Sequence, residues 1–193
     1  MFKKTPGPYA DRLPPGQHPT EDLPVLHYGT VPKIDIATWR LRVFGEVDRE
    51  SSFDFEELRR LPLVDVTADI HCVTTWTKLD ARWRGVPFSE IHELCAPRES
   101  ATYVLVHGAP DYTTGVPLDV LLGPDVILAT EYDGRPLTLE HGWPVRLVVP
   151  KLYFYKSAKW VTGIEYLSEP KLGFWERSGY SETADPWREE RYA

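Results

Sequence analysis

Cysteine, methionine and long apolar runs are scarce in this chain. Its 193 residues include two cysteines and one methionine. The cysteines, Cys72 and Cys95, do not form a Cys-x-x-Cys pair. Two cysteines are too few for a disulfide scaffold, and their spacing disfavours a zinc knuckle or a thioredoxin-like dithiol. No segment approaches the roughly 18 consecutive apolar residues that a transmembrane helix needs, so we expect no membrane span.

The charge balance limits the class of partner. The formal net charge is −7, whereas nucleic-acid binding requires a basic surface, so we expect no nucleic-acid partner. Apolar residues make up 42% of the chain and charged residues 26%, which is typical of a globular domain. Residues 1–22 carry no apolar run of the secretory type, and this favours a cytoplasmic protein.

Proline separates the beginning of the chain from the rest. Residues 1–38 are rich in proline and polar groups, which predicts an extended, irregular arm, either disordered or laid across the surface. Residues 39–176 have the patterns of a folded domain. Residues 177–193 form a polar tail that we expect to cover the surface.

Strand patterns dominate the central region. Helices are predicted only at 53–61, opened by Asp54, and at 88–94. There is no regular alternation of strand and helix, so the pattern predicts a single α+β domain with a mixed β core. The predicted strands are 39–45, 64–72, 103–107, 125–130, 145–149 and 159–166, with a hairpin turn at Asp133-Gly134.

Common hydrolytic and nucleotide motifs are missing from the sequence. It contains no Gly-x-Ser-x-Gly elbow, no Walker loop and no His-Glu-x-x-His pair. His71 beside Cys72 suggests a cysteine–histidine nucleophile, but neighbouring strand residues point to opposite faces. We therefore disfavour that interpretation.

Four sequence blocks, in a fixed order, carry a more specific signal. They are DIHCVTTW at 69–76, WRGVP at 83–87, HGWPVRLVVP at 141–150 and KSAKWV at 156–161. Together they resemble the sulfite oxidase superfamily of molybdenum enzymes, and most closely its bacterial branch with the methionine-sulfoxide reductase catalytic subunit. The resemblance implies the sulfite-oxidase-type molybdopterin-binding fold and a molybdenum–molybdopterin cofactor. Cys72 would be the catalytic residue and the thiolate ligand of the metal.

The resemblance also implies a set of residues that hold the cofactor. Arginine and lysine suit a buried phosphate because they donate charge-assisted hydrogen bonds. Taken singly, however, Arg146 and Lys159 fit a solvated or salt-bridged strand face, and His141-Gly142 fits a simple turn. The implied cofactor-binding residues are His27, Tyr28, Gly29, Cys72, Gly108, His141, Arg146, Ser157, Ala158 and Lys159.

Departures from the animal and plant sulfite oxidases bear on the substrate. Those enzymes surround the metal with arginines, whereas this chain has His27-Tyr28 in the arm and an arginine-free run at 73–76. Thr130 occupies the position of their active-site tyrosine. A pocket without these charges binds the sulfite dianion poorly.

We therefore expect a molybdopterin-dependent oxidoreductase that transfers an oxygen atom to or from a small-molecule substrate, of the S-oxide or N-oxide type rather than sulfite. A separate electron-transfer partner would serve it, because the resemblance covers no haem domain. Two alternatives stay open: a molybdopterin-binding carrier or non-catalytic homologue, and a β-rich interaction domain without a cofactor.

Overall fold

The computed structural model describes residue 9 and residues 11–193. The beginning of the predicted arm, residues 1–8, and residue 10 lie outside the described part. The strands are β1 (His18–Thr20), β2 (Leu41–Gly45), β3 (Ser51–Phe53), β4 (Val64–His71), β5 (Trp76–Pro87), β6 (Tyr103–Gly108), β7 (Tyr112–Pro117), β8 (Ile127–Tyr132), β9 (Arg135–Pro136), β10 (Arg146–Val148) and β11 (Val161–Leu167). The helices are α1 (Phe55–Arg59), α2 (Phe88–Cys95) and α3 (Leu118–Leu121), with 3-10 turns at Phe154–Lys156 and Glu176–Ser178.

The strands form two mixed sheets. In the first sheet, β5 pairs antiparallel with β4 and β8 and parallel with β1, while β8 also pairs with β9 and β10. The second sheet has the order β3-β2-β11-β6-β7, with β2 and β11 parallel. Each sheet therefore combines parallel and antiparallel pairs, and the predicted α+β domain with a mixed β core is confirmed.

Local sequence signals explain most of these elements. Asp54 opens α1 with a capping box, since its carboxylate accepts from the Glu57 amide and the Glu57 side chain accepts from the Asp54 amide. Asp133 and Gly134 both have positive φ between β8 and β9, as a two-residue hairpin turn requires. The longest strand, β5, was not predicted, because charged residues interrupt its alternation and Gly85 and Pro87 read as turn signals.

Two apolar clusters flank the first sheet. The larger cluster packs β2, β6 and β11 of the second sheet against α2, α3 and the inner face of β8. The smaller cluster contains Cys72 together with Trp83 and Phe154. Cys72, the predicted metal ligand, thus belongs to the smaller apolar cluster. Cys95 lies in the larger cluster as a fully buried structural residue. None of the helices between residues 11 and 193 is long and apolar enough to cross a membrane.

A buried ion pair joins the 3-10 turn at 154–156 to the C-terminal region. The Lys156 ammonium donates to the Glu176 carboxylate and to the Gly115 carbonyl at 2.8 Å. The same carboxylate oxygen accepts from the Thr114 hydroxyl at 3.0 Å. Burial lowers the pKa of Lys156 against the opposing pull of Glu176. The ion pair fixes the chain at Lys156, directly before the segment 157–159.

Removing one partner of this pair should destabilise the chain strongly. Lys156→Met leaves the Glu176 charge buried and unpaired, which costs roughly 3–5 kcal/mol. We expect urea unfolding to show that loss, and the double variant Lys156→Met/Glu176→Gln to lose less than the two single variants together. The matched control is Arg84→Met, which removes a cation from the exposed pair with Asp65. Equal losses for Lys156→Met and Arg84→Met would contradict the prediction.

Candidate active site

Cys72 opens the tight turn that connects β4 to β5. The Cys72 amide donates to the Trp76 carbonyl at 2.9 Å, and the Thr75 amide donates to the Cys72 carbonyl at 3.0 Å. Thr75 has a positive φ of 82°, a strained conformation for a β-branched residue. The sulfur lies 3.1 Å from the Thr74 hydroxyl. The turn therefore presents one sulfur at the end of the sheet.

The surroundings of Cys72 act on its protonation in opposite directions. Burial raises the pKa of the Cys72 thiol, while hydrogen bonds from Thr74 and the positive charges of Arg146 and Arg191 act to lower it. Burial prevails, so the free thiol stays protonated at neutral pH. Coordination to a metal ion would deprotonate it.

Arg146, on β10, is a buried cation beside this sulfur. The residue is 3% exposed, and its guanidinium carbon lies 3.8 Å from the ring centroid of Phe154. It donates to two carbonyls, those of His141 and Ser157, each at 3.2 Å. Its Nε has no hydrogen-bond partner, and no carboxylate forms an ion pair with it within the described part of the chain. Burial lowers the pKa of Arg146 to about 9.

Lys159 brings a second cation to the same region. Its ammonium donates to the Glu140 carbonyl at 2.6 Å. Burial, and next the charge of Arg146, lower the pKa of Lys159 to about 7. A Cβ on Gly142 would lie 3.1 Å from Lys159 Cβ and 3.2 Å from Arg146 Cβ. A Cβ on Gly108 would clash with the Lys159 carbonyl oxygen. These two glycines allow the close approach of the cationic segments.

The ring of His141 is already engaged by the chain. Its Nε2 lies 3.1 Å from the Leu23 carbonyl, which can only accept, so Nε2 carries the proton. Its Nδ1 lies 3.0 Å from the Thr138 hydroxyl and accepts from it. The ring therefore fixes the arm at Leu23, while the His141 carbonyl holds Arg146. A cleft of about 540 Å³ opens beside this ring.

Ser157 and Ala158 are tied to the strand that carries Arg146, and to the residue directly after it, by one side-chain and one backbone hydrogen bond. The Ser157 hydroxyl accepts from the Val149 amide at 3.0 Å, and the Ala158 carbonyl accepts from the Leu147 amide at 2.9 Å. The amides of Ala158 and Lys159 find no acceptor among the residues described. Ala158 is only 1% exposed. A buried N–H without a partner is costly, so this segment fits a bound acceptor.

The arm residues divide between two places. His27 lies edge-on to Trp160, with ring centroids 6.4 Å apart, and its Nδ1 is 2.9 Å from the Gly29 carbonyl. Tyr28 is 71% exposed and packs on Phe174 at 5.0 Å. The structure thus brings His27 to the segment of Lys159, whereas the Tyr28 ring lies on the aromatic residues that follow β11.

Several residues around Cys72 gave no signal in the sequence. The Gln17 amide donates to the Cys72 carbonyl at 3.0 Å, and the Arg191 guanidinium donates to the Val73 carbonyl. Both come from segments without periodicity at opposite ends of the chain. Phe154 could have been suspected, because it lies two residues before the block at 156–161.

The single sulfur of Cys72 fits a metal whose other donor atoms come from a bound cofactor. Among the described residues no group of three or more His, Cys, Asp or Glu side chains could hold a metal ion. A metal at Cys72 would need further donors from a bound cofactor. In the part of the chain that the structure describes, Arg146 and Lys159 form no ion pair with a carboxylate, and the amides at 158–159 have no acceptor. Both features suit an anionic cofactor with a phosphate group.

Comparisons with known proteins agree with this donor set. The model of the oxidoreductase molybdopterin binding domain matches residues 28–175. The chain is 45% identical over 182 residues to the uncharacterized oxidoreductase YuiH of Bacillus subtilis (strain 168), covering 94% of this chain and 92% of that protein. It is 32% identical to the putative protein-methionine-sulfoxide reductase subunit YedZ1 of Azospira oryzae, covering 80% of this chain and 60% of that protein.

More distant relatives share a smaller part of their length. Mitochondrial sulfite oxidase of Mus musculus is 29% identical over 78% of this chain, which spans 33% of that enzyme. The crystal structure of the sulfane dehydrogenase SoxCD from Paracoccus pantotrophus matches 75% of this chain and 42% of its own, with a TM-score of 0.68 and 24% identity. This last match confirms the predicted fold.

The lowered pKa of Lys159 predicts a pH dependence of stability. The folded metal-free chain holds this proton only below about pH 7, whereas the unfolded chain holds it up to about pH 10.4. The unfolded state therefore binds more protons between these values, and stability should rise from pH 7 to pH 9. Urea unfolding of the metal-free chain at these two pH values measures the effect. Lys159→Met should reduce the rise and Lys151→Met, which changes an exposed lysine, should not; an identical rise in all three proteins would refute the assignment.

Proposed function

Because the chain belongs to the oxidoreductase molybdopterin-binding domain family, we propose that it is a molybdenum–molybdopterin oxidoreductase acting on small S-oxides or N-oxides. The family match, over residues 28–175, implies the cofactor. The reaction we propose is transfer of an oxygen atom to or from the substrate, with sulfite disfavoured.

The observation that carries this proposal is the pair of cations formed by Arg146, whose charge acts on the Cys72 sulfur, and its neighbour Lys159. Arg146 is buried against Phe154 and has only carbonyl partners. Lys159 shares the region, and the charge of Arg146 helps to lower its pKa. Placing two uncompensated cations in a weakly polar environment is unfavourable. A bound anion with a phosphate would remove both costs.

Each residue then has a separate role. Cys72 would supply the single protein thiolate to molybdenum, a soft donor suited to a metal that is also bound by sulfur. Arg146, Lys159 and the free amides at 158–159 would hold the pterin and its phosphate. Bound in this way, the cofactor supplies two-electron redox chemistry coupled to oxygen-atom transfer. Phe154 and Trp83 exclude water from the Arg146 side of the sulfur.

Few positive charges near Cys72 remain available to bind a substrate. The positive charges that act on the Cys72 sulfur are those of Arg146 and Arg191, and Arg146 is assigned to the cofactor. One remaining cation matches a single polarised oxygen better than a dianion. The name of YedZ1, a putative protein-methionine-sulfoxide reductase subunit, supports an S-oxide substrate.

Electrons would come from a separate carrier, and the name of YedZ1, a putative reductase subunit, supports this part of the proposal. The division into an arm (1–38), a catalytic domain (39–176) and a tail (177–193) stays a prediction, as does the cytoplasmic location.

Metal analysis and substitution of Cys72 test the function. Protein from a host that makes the pterin cofactor should contain stoichiometric molybdenum and pterin, and absence of both would refute the proposal. Cys72→Ser should reduce turnover of sulfoxides by more than about 100-fold. Loss of a residue that only orients a metal ligand costs up to about 100-fold in activity, and Cys72 would itself be the ligand. The matched control is Cys95→Ala, in the other core, which should retain turnover. Full metal loading without turnover of sulfoxides, N-oxides or sulfite would instead favour the non-catalytic alternative.

Replacing Arg146 should separate stability from cofactor binding. Arg146→Met removes a buried cation with an unpaired Nε and keeps an apolar contact with Phe154, so the metal-free chain should be at least as stable as wild type in urea. Its pterin content after expression with the cofactor should fall to a small fraction. A variant that loads normally would show that Arg146 is only a structural residue.

A further inference from the structure

The C-terminal loop, residues 180–192, lies against the turn that carries Cys72. Tyr180 and Tyr192 close the loop through an antiparallel bridge. Ala184 fixes its middle, since the Ala184 carbonyl accepts from the Tyr153 amide at 2.8 Å and the residue is fully buried. The loop lies beyond residue 175, where the family match ends. It is thus an ordered part of the site that the family model does not include.

Arg191 is the residue by which this loop reaches the Cys72 turn. Its guanidinium donates to the Val73 carbonyl, directly after the ligand, and to the Pro15 carbonyl of the arm at 3.4 Å. It also lies 5.1 Å from the ring centroid of Tyr153. Its carboxylate partner, Glu189, is 3.7 Å away and its side chain is 50% exposed. Water screens such a pair, so the Glu189 carboxylate neutralises little of the positive charge of Arg191.

The arm holds the same turn from the other side. Gln17 donates to the Cys72 carbonyl, and its own carbonyl oxygen accepts from the Thr77 hydroxyl at 3.3 Å. Gly16 has a positive φ, and a Cβ there would lie 2.9 Å from the Glu189 carboxylate and 3.2 Å from the Arg191 guanidinium. The two ends of the chain therefore pack together at this turn.

We propose that Arg191 is a specificity-determining residue of this site: bound to the turn that carries Cys72, its guanidinium favours substrates that carry an anionic or strongly polarised oxygen. The proposal rests on the proposed function for the identity of the reaction. Two observations support it. Arg191 keeps 15% of its side chain exposed, unlike Arg146, and its charge acts on the Cys72 sulfur.

Kinetics with a matched pair of sulfoxides test the selectivity in the metal-loaded enzyme. The pair is methylsulfinylacetate, an anion, and dimethyl sulfoxide, which is neutral. Arg191→Met should raise KM for the anion roughly tenfold, as expected for a lost charge-assisted contact, with kcat within about twofold. KM for dimethyl sulfoxide should change much less, and Arg191→Lys should recover most of the effect. An equal rise of KM for both substrates would refute a charge-based role.

Thiol alkylation tests the same charge without the metal. In the full-length metal-free chain, Cys72 is alkylated with iodoacetate or iodoacetamide, and the ratio of the two rates is measured by peptide mapping. The same thiolate attacks both reagents and displaces iodide, so its abundance cancels from the ratio. Arg191→Met should lower the ratio about threefold at low salt. Arg188→Met, which removes the same charge at an exposed position, should leave it unchanged; equal ratios in the two variants would refute the proposal.

Wild-type protein gives a further readout if Arg191→Met does not fold. A local cation makes the ratio fall between about 10 mM and about 500 mM salt, because screening weakens attraction. The net charge of −7 alone would make the ratio rise, because screening weakens repulsion. A rising ratio would overturn the role of Arg191, and so would a fall that Arg146→Met abolishes, because the local cation would then be Arg146. Failure of the oxidoreductase function would appear separately, as absence of molybdenum together with a normal alkylation ratio.

Discussion

The buried guanidinium of Arg146 is the constraint around which the site is arranged. It has lost most of its hydration, and among the described residues it interacts with two carbonyls and two aromatic faces rather than with a carboxylate. Carbonyl dipoles offset only part of the desolvation cost of a cation. The remainder raises the free energy of the metal-free chain. An anionic ligand that binds here recovers that free energy as affinity.

Lys159 adds a second positive charge and so raises the free energy of this arrangement further. Its positive charge and that of Arg146 repel each other, and Gly142 allows their backbones to approach closely. The buried pair of Lys156 and Glu176 fixes the chain three residues before Lys159. Lys159 therefore lies on a segment whose position the core determines, and the chain holds an unfavourable pair of charges at the site, which is a common relation between stability and function.

How much could be predicted from the sequence depended on the kind of contact. Short-range patterns predicted β4, α1 and the turn at Asp133 because they follow from local chemistry, and the resemblance placed Cys72, Arg146 and Lys159 in one site. β5 was missed because tertiary pairing with three other strands overrides its weak local pattern. Gln17 and Arg191 were missed because contacts between the chain ends leave no periodicity in either segment.

The two arginines whose charges act on the Cys72 sulfur lie in different environments. Arg146 is buried and packs on the rings of Phe154 and Trp83. Arg191 belongs to the C-terminal loop, where solvent still reaches its side chain. A cofactor that stays bound needs the first environment, because a low dielectric strengthens its ion pairs. A substrate that must enter and leave needs the second, because a partly hydrated cation attracts an anion without holding it.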